Sequence, residues 1–407
     1  MNIGSKRVNT SRVLLIAAIA FAVLFFLFNG FSSNKINYSG LDSSKYNEIK
    51  NYISALDQNP VDYLCKVFET KRIVCLGAET FTANGPLFVI QALPELYNAG
   101  VDMLAVDFAL AEDNDRIKDL VTASEFSENR AREILFNRLI LFGYKEYEDL
   151  LKTVWSINQN KPAGKAPMKL IGLSVKHDYS VLKTPDDLED DAKLRSIIPG
   201  DDTLDSFMGK EAVKRLSEFS GKALVYTAFQ HSFTSFHWLG YEKEVVSRGV
   251  LPDNAQKMGN FIYDSFGDEC ATVLMHTFWT EPESPNGLDY PAGGTIDKAI
   301  SAQKGGRGEF GLTIEGSPLA DLKITRYFAK EYDELYLKDM AYGYISMGPI
   351  KATKVLTPIN DFINEQNLES AIYNFPGIEE EELTPKILNG YIANTSAQYG
   401  SFTRRFK

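Results

Sequence analysis

Cysteine, histidine and tryptophan are scarce in this 407-residue chain: three Cys, four His and three Trp. Cys65, Cys75 and Cys270 are too few for a disulfide scaffold, and no CxxC or zinc-finger spacing links them. Cys75 and Cys270 fall in or beside apolar strand-like runs, which reads as small buried hydrophobes. Positive charge is also short: 43 Lys and Arg against 54 Asp and Glu leave a formal net charge of −11. That argues against nucleic acid or an anionic membrane surface as partner, because both reward clustered cations. The familiar catalytic templates are missing too, with no GxSxG elbow, no HExxH and no P-loop. The Gly-rich stretch Lys304–Gly308 has no strand feeding it into a helix and reads as a loop. The acidic runs Asp186–Asp191 and Glu379–Glu382 lack the Gly-punctuated spacing of a calcium loop and read as solvated.

What the chain does have is one long hydrophobic run. Val13 to Phe28 are sixteen consecutive apolar residues, preceded by Lys6, Arg7 and Arg12. At ~1.5 Å per residue the run spans roughly 24 Å, and Asn29, Gly30 and Phe31 bring it close to the ~30 Å of a bilayer core. A buried globular helix of this length carries a polar stripe, and this one has none. The segment 13–31 is therefore expected to be a transmembrane anchor or a secretory signal. The very apolar Leu24–Phe28 end favours the anchor over cleavage at Gly30-Phe31-Ser32. The preceding cations place residues 1–12 in the cytoplasm and the bulk of the chain outside it, as a single-pass cell-membrane protein.

Behind a short polar linker, 32–42, the remainder 43–407 reads as one α/β domain with an elaborated C-terminal part. Apolar runs of 6 to 9 residues recur at Arg72–Gly77, Val101–Phe108, Met168–Ser174, Lys222–Phe229 and Cys270–Phe278. Such runs suit strands buried on both faces. Helix-length segments lie between them, at 86–98, 112–159 (two or three helices), 202–219 and 253–266, after two initial helices near 43–57 and 60–70. Strand and helix in alternation predict a mostly parallel central sheet flanked by helices. In the C-terminal part Thr295–Ala302 and Asn360–Tyr373 read as helices, and Gly311–Ile314 and Tyr342–Met347 as strands.

In open parallel sheets, ligands bind beyond the carboxyl ends of the strands. The polar residues expected there are Glu79 after the first strand, Asp107 at the end of the second, His177 after the third, His231 after the fourth and His276 at the end of the fifth. Imidazole and carboxylate meeting in one crevice is what metal binding or acid–base catalysis requires.

These residues also carry a resemblance. The order of motifs is similar to that of the ChaN-like, erythromycin-esterase-like and Tiki-like superfamily. Its members have a GExH-type motif after the first strand, a helix bearing Gln, a strand ending in an acid, and a later GxxH motif. Here Gly77-Ala78-Glu79-Thr80 sits at the first position, Gln91 follows, Asp107 ends the acidic strand, and Ala228-Phe229-Gln230-His231 stands for the second motif. The match covers roughly residues 70–350. The first-motif His is replaced by Thr80 or Phe81, and the Gly of the second motif is Ala228. The resemblance implies a hydrolase of esterase or metal-dependent peptidase type acting on a small-molecule or peptide ligand. His231, Asp107 and Glu79 would be catalytic, and a divalent metal would be held by His231, His276 and Glu79. Haem-binding relatives imply haem as the alternative cofactor, and a partner-binding ectodomain without catalysis is the third reading.

Overall fold

A strand buried on both faces must be apolar along its whole length, and the five apolar runs behave so. They form β1 (Ile73–Ala78), β2 (Val101–Leu110), β3 (Lys169–Ser174), β4 (Lys222–Ala228) and β5 (Cys270–Met275). Every residue of β1 and β5 is buried. The computed structural model describes residues 35–406 other than 39, 183, 185, 188, 189, 199–202, 281–286, 304–307 and 374–382. Further strands are β6 (Trp279–Thr280), β7 (Leu288–Asp289), β8 (Glu309–Thr313) and β9 (Gly343–Met347).

The main sheet has seven strands in the order β3-β2-β4-β1-β5-β9-β8. All adjacent pairs are parallel except β8–β9, and β6 and β7 make a separate antiparallel pair. The α/β class with a mostly parallel, helix-flanked sheet is thus as expected. β1 lies at the centre, with Gly77 opposite Thr227 of β4 and Leu274 of β5. Alternation sends successive side chains to opposite faces. Val74, Leu76, Leu104, Val106, Leu224 and Tyr226 join one core. That core takes in the helices Asn84–Asn98, Glu128–Arg138, Lys145–Gln159 and Pro385–Thr403. Ile73, Cys75, Met103, Ala105, Ala223 and Val225 face the helices Leu204–Ser217 and Met258–Phe266. A third core forms over the β5-β9-β8 end, under the helices Ser43–Ala55 and Thr295–Ser301.

Local signals set the helix starts. Asn59 caps Pro60–Thr70 with its side chain on the Val61 and Asp62 N–H groups, and Pro60 sits in the first turn, where it loses no hydrogen bond. Thr203 caps Leu204–Ser217 through the Ser206 N–H, which fixes where Asp205 begins that helix.

Two differences from the sequence reading have a physical cause. The stretch 360–373 is helical only over Leu368–Tyr373. Pro385–Thr403 is a 19-residue helix that the reading lacked. Its Gly390, Gly400, Asn, Ser and Thr residues are poor helix formers, and packing of Leu388, Ile392, Tyr399 and Phe402 into the core stabilises it instead. Among the described residues no helix is long and apolar enough to cross a membrane. The expected anchor 13–31 lies outside the described residues, as do the greater part of the Gly-rich stretch and the run Glu379–Glu382.

Candidate functional site

The carboxyl ends of β1, β2 and β4 bring two acids together. Asp107 Oδ2 accepts hydrogen bonds from Thr227 Oγ1 at 2.7 Å and from the Ala228 N–H at 2.9 Å. Glu79 directly follows β1, and its Oε1 accepts from the Phe81 N–H at 3.3 Å. Tyr147 and Tyr226 lie close enough to feel both carboxylates, and burial, before those charges, raises both phenols well above their usual range. Tyr147 also donates to the Thr80 carbonyl at 2.5 Å. Burial pushes the Glu79 carboxyl up to about 7, against the Phe81 and Thr80 N–H groups, which pull it down. A carboxyl of that kind exchanges its proton at neutral pH, as a general acid or base must.

His231 lies in the turn after β4, where the sequence put it, but its side chain turns to a different partner. Nδ1 meets Asp205 Oδ1 at 2.6 Å rather than Asp107 or Glu79. Lys257 Nζ donates to Asp205 Oδ2 at 3.0 Å, and the Met258 N–H donates to Oδ1 at 3.0 Å. All three side chains are buried. Burial by itself would raise the Asp205 carboxyl; the His231 and Lys257 charges and the hydrogen bonds overcome it and hold the group well below the usual carboxylate range. The Lys257 ammonium also sits 3.3 Å from the Tyr241 ring centroid. Sequence reasoning missed Asp205 and Lys257. An acid in the first turn of a helix is ordinary, and only the tertiary placement gives this one a histidine.

The other histidines are each occupied separately. His276 is closed to solvent, with Nδ1 on the Tyr344 hydroxyl at 2.7 Å and Nε2 on Asp297 Oδ1 at 3.0 Å. His237 Nδ1 pairs with Glu242 at 2.9 Å, and His177 Nδ1 with the Tyr179 hydroxyl at 2.8 Å. The expected metal set of His231, His276 and Glu79 is therefore not assembled. Among the described residues no three His, Cys, Asp or Glu side chains are gathered as a metal would need. His276 has no nitrogen lone pair left for zinc or for a haem iron, since both nitrogens are bonded. Phe81, at the place of the motif histidine, is packed between Phe142 and Tyr399, with ring centroids 6.4 and 5.3 Å away. The residues do not fit the metal. Gln91, the helix marker of the motif, is exposed.

No family model matches the sequence, and no curated protein matches it. Solved structures do. A Bacillus cereus protein is similar at 12% identity, over 77% of this chain and 99% of that one, with a TM-score of 0.52. A protein described as a succinoglycan biosynthesis protein is similar at 13% identity, over 79% and 100%, with a TM-score of 0.53. ChaN of Campylobacter jejuni, described with cofacial haem binding, is similar at 11% identity over 55% and 88%, with a TM-score of 0.33. At such identities what this chain shares with its structural neighbours is the fold.

Proposed function

We propose that this protein is an acid–base hydrolase carried at a membrane by residues 13–31, with its α/β body outside the cytoplasm. Its ligand is a small molecule or peptide bound beyond the carboxyl ends of β1, β2 and β4. The observation that supports this reading is that Glu79 and Asp107 both stand at these strand ends near Tyr147 and Tyr226, Asp107 taking hydrogen bonds from Thr227 and Ala228 and Glu79 raised by burial. Two acids in unlike environments are how one site holds both an acid and a base near neutral pH. Glu79 moves the proton. Asp107, fixed by Thr227 and Ala228, is held in one orientation near the same two tyrosines. His231, aligned through Asp205, is a second proton-transfer group at the end of β4.

The test is hydrolysis by the purified protein over a panel of carboxylic esters and short peptides. Turnover is expected, with a pH profile that bends near 7. Glu79→Gln is expected to lower kcat by about 10²–10⁴, the usual worth of a positioned acid or base. A protein inert over the whole panel, or a Glu79→Gln variant as fast as wild type, overturns the reading.

A further inference from the structure

The packing around Asp107 leaves one buried positive charge without a direct ion pair. Arg138 ends the helix Glu128–Arg138 and is 3% exposed. Its Nε donates to the Asp107 carbonyl oxygen at 3.3 Å and its guanidinium lies 5.8 Å from the Phe142 ring centroid. Its Nη1 has no hydrogen-bond partner, and among the described residues Arg138 forms no ion pair. Asp107 is near enough to feel the charge, but its Oδ2 is bonded to Thr227 and Ala228.

His177 is near enough to feel this guanidinium's charge, and it too has an unpartnered buried polar atom. It is 8% exposed, and its Nε2 has no partner. Burial, and then the Arg138 charge, hold the imidazole well below its ordinary pKa, so the ring is neutral. Nδ1 and the Tyr179 hydroxyl are 2.8 Å apart, and we assign the phenol as the donor. The ring proton then sits on Nε2, which makes it a donor pointing at nothing. The Ser174 hydroxyl, at the end of β3, is buried without a partner as well. Alternation along β3 puts Ser174 on the face of Leu170, toward the core that contains the Arg138 helix.

Buried donors left unpaired are costly, and a buried charge without a direct ion pair more so. A water molecule would complete the hydrogen bonds without pairing the charge. An anion does both. We propose that Arg138 and His177 form a subsite for an oxyanion group, a carboxylate or a phosphate, on the molecule handled by Glu79 and Asp107. That this molecule is a substrate rests on the hydrolase reading; that an anion binds does not. The Arg138 fork offers a charged donor to one oxygen and His177 Nε2 serves a second. Both donor atoms are closed to solvent, so the anion reaches them as the 175–182 loop shifts. The Asp178 N–H bond to the Ile197 carbonyl, at 2.9 Å, ties that loop down.

The experiment follows thermal unfolding of the full-length protein with rising sodium phosphate or sodium acetate, ionic strength being matched with sodium chloride. A ligand that binds only the folded state raises the midpoint by mass action. Phosphate or acetate is expected to raise it and chloride is not. The anion that acts tells whether the natural group is tetrahedral or planar. Arg138→Met is expected to abolish the shift, and without anion to unfold no earlier than wild type, since an unpaired buried charge has been removed. Arg138→Lys, which keeps the charge but not the fork, is expected to bind about tenfold more weakly, and His177→Phe several-fold more weakly. Should Arg138→Met fail to fold, these two carry the test, and wild-type affinity in both overturns the subsite. So does a wild-type protein that neither anion stabilises, or a shift that survives Arg138→Met. Glu79→Gln is expected to keep the shift. Turnover without an anion effect therefore removes the subsite alone, and an anion effect without turnover removes the hydrolase alone.

Discussion

A carboxyl raised to about 7 makes stability depend on pH with a sign opposite to that of most acids. In the unfolded chain Glu79 titrates near the ordinary glutamate value of 4.5. Between 4.5 and 7 the folded state therefore holds more protons than the unfolded one, and stability is lost as pH rises through that window. The shift corresponds to at most about 3 kcal/mol, trimmed by the partial exposure of the side chain. Glu79→Gln removes the titration. Urea unfolding at pH 5 and pH 8 is expected to show wild type weakening and the variant unchanged, with the variant the more stable at pH 8. Parallel pH dependence in the two proteins would contradict the buried-carboxyl assignment. Asp205 carries the other sign. Its depressed carboxyl adds stability above the usual carboxylate pKa, and that stability is lost as pH falls below it. Asp205→Ala leaves Lys257 buried without its partner, and chemical denaturation is expected to show a loss of about 3–5 kcal/mol. A loss under about 1 kcal/mol would mean that Lys257 finds water instead.

Between elements, the closest approach near the site is at Gly77. A Cβ there would come within 2.8 Å of Phe229 Cα and would collide with the Ser232 side chain. The absence of a side chain lets the turn after β4 pass over the end of β1, and so sets the distance between Glu79 and the Ala228–His231 turn. Gly77→Ala is expected to cost about 1–3 kcal/mol by overpacking, and to slow turnover further than the stability loss explains. Unchanged stability would show that the turn moves freely. The same geometry explains what the sequence made legible. β1 to β5 could be read because strands buried on both faces must be apolar throughout. Their carboxyl ends located Glu79, Asp107 and His231. Which of these would meet could not be read, because it depends on side-chain direction. Asp107 turns to Thr227 on the neighbouring strand, while His231 turns to Asp205, 26 positions earlier. Nothing in the sequence distinguishes Arg138 from any cation in the last turn of a helix; its burial and orphaned Nη1 mark it out.

Across the whole molecule the candidate acids collect at one end of the sheet, and a net charge of −11 suits no anionic membrane surface. On the proposed reading, attachment to a membrane depends on residues 13–31 rather than on the body. An integral segment and an electrostatic contact differ in what releases them: salt weakens the second within a Debye length and leaves the first alone. The full-length protein is expected to sediment with membranes, to stay there in 1 M salt, and to be extracted only by detergent. Deletion of residues 1–31 is expected to move it to the soluble fraction with its unfolding midpoint unchanged. Protease added outside intact cells whose outer layers have been removed is expected to digest the body, if the cations Lys6, Arg7 and Arg12 orient the segment as proposed. A mature chain shortened by about 30 residues and found in the medium would make the segment a cleaved signal. Full-length protein that salt alone releases would remove the tether.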